Sequence, residues 1–386
     1  MLKKVLISIL VGFLVTGFLV ASRDKADKTV TLTFSSWGSE SEVKVLQPII
    51  KNYEKQNPQV KVEFLHIPQN YFQKLHLLFA SNTAPDVVFL NNQYLPIYAN
   101  ANVLEPLDKY FSKGDLKNFY PNVLKTLEYS GKLYAIPRDI SNLVVFYNKE
   151  IFNKYKVKYP QKDWTFDDYL KTAQKLTHLP QIFGTSFDEY PYFYLPFVMS
   201  NGGSFLPNDY NKKDSQKALD FYADLRTKYH VAPLRQEMSG ATSAQLFLQG
   251  RLGMIISWRW VVPKFREDAK FDWDIINFPN GKCGSVSPLD SSGWAISKNS
   301  KHKSEAVKFI KYLSNYENIS TFAKSGLIVP SRIDTANSKT FNNNDKPHNN
   351  RVFIDVIKTS KPTPTSINYN EILDQIKAKN EYRFNK

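Results

Sequence analysis

The stretch Thr29-Val30-Thr31-Leu32-Thr33-Phe34-Ser35-Ser36-Trp37-Gly38-Ser39-Glu40 decides the fold class. Val30, Leu32 and Phe34 alternate with threonines, which is the period of a half-buried strand. Ser35 to Glu40 has the composition of a loop. Val43, Leu46, Ile50 and Tyr53 then recur at spacings of three and four, placing them on one helical face, and Asn57-Pro58 stops that helix. Val60, Val62 and Phe64 give a second strand. Two strands joined through a helix form a β-α-β unit, so parallel pairing is expected.

Outward from this unit the alternation continues. Asp86-Val87-Val88-Phe89-Leu90 and Leu143-Val144-Val145-Phe146-Tyr147 are short apolar runs that read as buried central strands. Thr165-Phe166-Asp167-Asp168 forms a capping box that opens a helix through Leu170, Ala173 and Leu176. Phe221, Leu225 and Tyr229 mark another helix, as do Ala306, Phe309, Ile310 and Leu313. Phe271 to Ile276 alternates as a strand. Helices and strands interleave throughout, which predicts an α/β protein. The polar run Asn337 to Asn350 reads as an exposed excursion. Trp164 and Trp273 are assigned to the core and Asp86 to a structural role.

At 386 residues and 42 % hydrophobic content, the chain exceeds what one core usually fills, and two lobes are expected. Lys3 and Lys4, the apolar run Val5 to Ala21 and the charges of Arg23-Asp24-Lys25 read as an export signal over residues 1–21. Cys283 is the single cysteine, which excludes an intrachain disulfide and a CxxC redox motif. The net charge of +15 is spread along the chain and no stretch packs Lys and Arg as a nucleic-acid arm does.

Enzyme signatures are absent from the sequence: it holds no HExxH, GxSxG, GxxxxGK[ST] or GxGxxG. The six histidines never fall at metal-ligand spacing. Asp272 and Asp274 share a strand face, but beside Trp273 they read as a solvated face rather than an acid/base pair. No catalytic residue, metal or cofactor is expected.

Several separated blocks carry a family resemblance. They are Phe34-Ser35-Ser36-Trp37-Gly38, Ala84-Pro85-Asp86-Val87-Val88, Leu104-Glu105-Pro106-Leu107, and Gly131 to Pro137 leading to Phe146-Tyr147-Asn148-Lys149. Further along come Asn201-Gly202-Gly203, Phe247 to Met254, Ser292 to Ser297, and Gly326 to Arg332. From Leu32 to about Asp374 the chain resembles the extracellular solute-binding proteins of ABC importers, in the branch that includes maltose-binding and other sugar-binding proteins. The resemblance implies a two-lobed periplasmic-binding-protein fold whose discontinuous lobes meet at a hinge with a ligand cleft between them. The expected lobes are residues 29–139 with 288–333, and residues 140–287 with 334–386. It implies an exported, monomeric binding protein that takes a carbohydrate and hands it to membrane permease subunits. Two departures stand out. Ser22 occupies the place of a lipobox cysteine, so no thioether anchor is expected there. The chain ends at Lys386, before the closing helix usual in relatives, so the second lobe is expected to be incompletely clad.

Ligands of doubly wound sheets sit beyond the carboxyl ends of the strands, where the loops after Phe34 and Leu90 lie. A sugar needs polar side chains for its hydroxyls and flat aromatic plates for its C–H faces. By resemblance, Trp37, Ser39 and Glu42 come from the first loop, Asn91 and Asn92 from the second, and Ser141 and Asn142 from the crossing region. Tyr192, Trp258, Trp260 and Trp294 are the implied stacking faces. Trp258 and Trp260 also stand out from the residues themselves, bracketing Arg259 two apart just after the apolar Ile255-Ile256. Arg138, Arg259 and Arg332 leave open a glycerol phosphate ester as ligand, and a secreted carbohydrate-active enzyme is the alternative from another class.

Overall fold

The computed structural model describes residues 29–385. The export signal and the Ser22 departure lie outside the described residues. The opening unit forms as its pattern dictates. Strand β1 (Val30–Ser36) pairs in parallel with β2 (Val60–His66), and helix Glu40–Gln56 between them buries Leu46, Ile49, Ile50 and Tyr53. The Ser39 side chain caps that helix by accepting from the Glu42 backbone N–H, and Glu40 and Glu42 in its first turn complement the helix dipole. Strand β3 (Val87–Asn91) pairs in parallel on the other side of β1. Asp86 is structural: its carboxylate accepts from the Thr33 N–H at 2.9 Å and from the Ser300 hydroxyl at 2.6 Å.

A short hairpin, β4 (Glu128–Tyr129) and β5 (Lys132–Leu133), leads into β6 (Ala135–Ser141) and β7 (Val144–Asn148). The remaining strands are β8 (Met254–Ser257), β9 (Trp273–Ile276), β10 (Pro288–Ile296), β11 (Val329–Pro330) and β12 (Lys361–Pro362). The larger sheet has the order β11-β6-β10-β3-β1-β2, with β12 beside β10, and the smaller has the order β8-β7-β9.

Strand direction differs in part from the expectation. Parallel pairing holds for β1 with β2 and β3, whereas β7 is antiparallel to both β8 and β9. The apolar run of β7 reported burial on both faces, and burial does not fix direction. The chain leaves the larger sheet after Ser141 and returns between Ile276 and Pro288. Ser287 ties the two crossings together: its hydroxyl oxygen accepts from the Leu143 N–H at 2.8 Å and donates to the Leu143 carbonyl at 2.9 Å.

Two apolar clusters result. One fills the larger sheet and reaches one face of the smaller through Phe146, Ile275 and Trp273; the other packs its opposite face through Val145, Ile256 and Ile276. Trp164 and Trp273 are both core, and the Trp164 indole N–H donates to the Asn277 carbonyl at 3.0 Å. The Thr165/Asp168 capping box is present, opening helix Phe166–Leu176. Helix Ala306 to Leu313 faces as read, but helix Lys213–Thr227 turns Ala218, Leu219, Tyr222 and Leu225 inward and leaves Phe221 half-buried. The excursion at 337–350 is exposed at Asn342 and Asn344, yet Phe341 and Asn350 are buried against Arg259. The final helix, Tyr369–Phe384, packs on the second cluster through Tyr369, Leu373, Ile376 and Phe384. Its Phe384 ring lies 5.1 Å from Tyr194 and 5.2 Å from Phe187.

Candidate ligand-binding cleft

The carboxyl ends of β1, β3 and β8 open onto one cleft, because in each case an apolar strand hands over to a polar or aromatic turn. At β1, Gly38 lets the chain turn into the first helix with φ at +130°. That φ is one L side chains rarely adopt, and a Cβ there would lie 2.6 Å from a Glu42 carboxylate oxygen and displace that side chain. At β8, Trp258 is extended and a short 3-10 turn, Arg259–Val261, follows. Trp258 and Trp260 therefore project to the cleft, and Arg259 between them also lines it, although most of its side chain is buried against Phe341 and Phe353. The two indoles lie 6.4 Å apart with planes 23° from parallel, and Trp260 is 59 % exposed.

Three compartments make up the cleft. One, about 540 Å³, is lined by Trp37, Ser39, Glu42, Ser141, Trp258 and Trp260 among others. A second, about 410 Å³, shares Trp37, Ser141, Trp258 and Trp260 and adds Asn91, Tyr192 and Asp290. A third, about 330 Å³, is lined by Phe72, Tyr94, Tyr190 and Leu373 among others.

Eight of the eleven residues expected at the site line this cleft: Trp37, Ser39, Glu42, Asn91, Ser141, Tyr192, Trp258 and Trp260. Three of them have further duties, Ser39 as the cap of the first helix already described. Glu42 pairs with the buried Arg138, which also binds Asp139 at 2.7 Å and lies 4.2 Å above the Phe89 ring. The Asn91 side chain accepts from the Tyr94 N–H at 3.1 Å, a turn-forming bond.

Three expected residues do not reach the cleft surface. Trp294 is 1 % exposed and pairs in the sheet with Phe89, their rings 6.0 Å apart. It shares a strand face with Ser292 and Asp290, which do line the cleft, but sits deeper along β10 where neighbouring side chains cover it. Asn92 is buried and holds Asp290 in place, donating to its carboxylate at 2.8 Å and accepting from the Ser291 N–H at 3.1 Å. Asn142 is fully buried at the crossing and donates to the Phe353 carbonyl at 2.9 Å.

The sequence reading missed Asp290, Ser292, Tyr94, Tyr190, Tyr369 and Asn370. Asp290-Ser291-Ser292 was a usable signal, a polar run inside an otherwise apolar strand. Tyr369 and Asn370 carry none, since the final helix reaches the cleft only through the fold.

Burial pushes the Asp290 carboxyl up to about 6, against the lowering effect of hydrogen bonds from Asn92, Thr363 and Gln93. A carboxyl raised on folding penalises the folded state when it is ionised. The penalty is full above about pH 6 and fades as pH falls toward the unfolded value near 4. The parent should therefore gain stability relative to Asp290→Asn as pH drops from about 7 to 5. Parallel melting curves for the two proteins over that range would remove Asp290 as the cause.

Asp272 and Asp274 stand outside the cleft: Asp272 pairs with Lys149 at 2.5 Å and Lys346 at 3.0 Å, and Asp274 accepts from the Asn349 N–H. Among the described residues no group of three or more His, Cys, Asp or Glu is arranged to hold a metal ion, and no helix is long and apolar enough to cross a membrane.

Residues 37–319 match the bacterial extracellular solute-binding protein family. The chain belongs to that family. Among solved structures, this solute-binding protein is similar to an ABC substrate-binding protein of Listeria monocytogenes in complex with cycloalternan. The identity is 28 %, the TM-score 0.83, and the match covers 92 % of this chain and 94 % of that one. It is 25 % identical over 316 residues to the multiple sugar-binding protein of Streptococcus mutans, covering 76 % of this chain and 73 % of that protein. It is 24 % identical over 352 residues to the galactooligosaccharide-binding protein of Bacillus subtilis, covering 87 % and 80 %.

Proposed function

We propose that this solute-binding protein captures a carbohydrate between its lobes and delivers it to the permease of an ABC importer. The observation that carries the reading is the pair of aromatic plates at the end of β8, Trp258 and Trp260, with Trp260 largely exposed on a cleft wall. An exposed indole in a polar cleft offers the flat apolar surface that a sugar's C–H face needs, and Ser39, Asn91, Ser141 and Ser292 supply the polar rim. The names of the similar proteins from Streptococcus mutans and Bacillus subtilis agree with a sugar ligand.

Lobes of residues 29–139 with 288–333 and of residues 140–287 with 334–386 close about the crossings at Ser141–Val144 and Ile276–Pro288. Closure follows from contacts stronger in the closed state, so plates from β8 and polar groups from β1, β3 and β10 act on one ligand. The role is binding, not catalysis. Glu42 and Asp139 share Arg138, and Asp290 is fixed by Asn92, so these cleft carboxylates are engaged as structural partners.

A phosphate ester is the weaker candidate. Arg138 is already paired, and Arg332 binds Asp334 at 2.6 Å. Arg259 lines the cleft between Trp258 and Trp260, yet it donates to Asn350 at 2.6 Å and packs 4.4 Å from the Phe341 ring. A thermal-shift panel of mono-, di- and oligosaccharides beside glycerol phosphates tests the choice, because a ligand that binds only the folded state raises the melting temperature. A rise with saccharides alone is expected. A rise with glycerol phosphates alone would overturn the carbohydrate reading.

A further inference from the structure

We propose that Arg259 holds a small inorganic anion of single charge, a halide, at the wall of the cleft, as a resident part of the fold and not as transported solute. The inference is independent of which solute the cleft takes.

Two other arginines are buried among the described residues, and carboxylates neutralise both. Arg138 is paired with Glu42 and Asp139, and Arg226 binds Glu189 at 2.6 Å. Arg259 is as deeply buried, at 3 % exposed, yet among the described residues no carboxylate offsets its charge. Its Nη1 donates to the Asn350 side-chain oxygen, a neutral acceptor. Arg259 Nε and Asn350 Nδ2 are both buried without a partner, so the cluster holds unused donors and no spare acceptor. The charge that does act on Arg259 is a like one, Arg266, which donates to the Lys346 carbonyl at 2.6 Å and reaches Asp345 only at 3.8 Å.

Burial, with Arg266 as the lesser cause, pushes the Arg259 guanidinium down to about 9. The Phe341 and Phe353 rings lie 4.4 and 5.2 Å from its central carbon. Ring faces attract a cation more weakly than the water it has lost, so most of the desolvation cost is left to an opposite charge. Access is open, because Arg259 lines the 540 Å³ compartment between Trp258 and Trp260. Glu42 and Asp139 line the same compartment, but Arg138 engages both. Leu327 and Ile328 line it as well, and apolar neighbours favour a weakly hydrated single charge over a multiply charged oxyanion. An ion on Arg259 fixes the turn Arg259–Val261, and with it the indoles on either side.

Melting of the solute-free protein at constant ionic strength, with methanesulfonate replaced stepwise by chloride or bromide, tests the inference. The melting temperature should rise by about 2–4 °C and level off as the site fills, since an ion bound to the folded state stabilises it by mass action. Asn350→Asp sets a carboxylate against Arg259 Nη1. That variant should melt above the parent without halide and gain nothing when halide is added. Arg259→Gln should also lose the halide-dependent rise. Crystals of the parent grown in bromide should show an anomalous peak against the Arg259 guanidinium, absent in Asn350→Asp. A flat response in the parent, or the same rise in the parent and either variant, would overturn the resident anion. A bromide peak without any change in melting would mark an adventitious ion only and overturn it too. A rise with glycerol phosphate or glucuronate and none with halide would assign the counter-charge to the cleft's solute, against the proposal.

Discussion

Trp294→Ala should cost about 3–5 kcal/mol of folding stability, the usual price of emptying a core indole site. The indole is 1 % exposed and packs among Phe89 and its neighbours near the middle of the larger sheet, so its removal leaves a cavity that β10, held on both sides by β6 and β3, cannot close. Denaturant titration should show a lower midpoint with an unchanged slope. Any loss of ligand binding should follow from the unfolded fraction and vanish at temperatures where the variant is fully folded. Wild-type stability combined with weakened binding would instead return Trp294 to the ligand surface.

Trp260→Ala should do the reverse. The side chain is 59 % exposed, so little apolar burial is lost and the melting temperature of the free protein should stay close to the parent's. Binding of the saccharide identified by thermal shift should weaken by about 2 kcal/mol or more, the mark of an aromatic hot spot. Trp258→Ala should weaken binding and also lower stability, because its ring additionally packs against Phe193 at 4.8 Å. Calorimetry and melting on the same three tryptophan variants separate plate from core. Unchanged affinity in a folded Trp260→Ala protein would remove this residue from the site and leave the carbohydrate reading without its main support.

The contrast between these tryptophans shows where local pattern stops. Each follows or sits within an apolar strand, and the family resemblance implies a stacking role for all three. Trp258 and Trp260 stand at a strand's end, where the chain turns away and side chains meet solvent. Trp294 has the correct strand parity but the wrong depth, and depth is set by what the rest of the chain lays over that face.

The sequence by itself determined the β-α-β opening, the interleaved α/β class, the buried places of Trp164 and Trp273, and the aromatic pair after β8. Those features depend on spacings of two to four residues, which local chemistry enforces. Only the tertiary structure decided which polar residues are free for a ligand. Asn92 and Asn142 are spent on Asp290 and Phe353, partners more than 190 residues away, and Glu42 on Arg138. It also decided that Tyr369 and Asn370 of the final helix reach the cleft beside Tyr94. Hydrogen-bond partners and burial at such separations follow from how the two sheets meet, and no window of sequence contains that geometry.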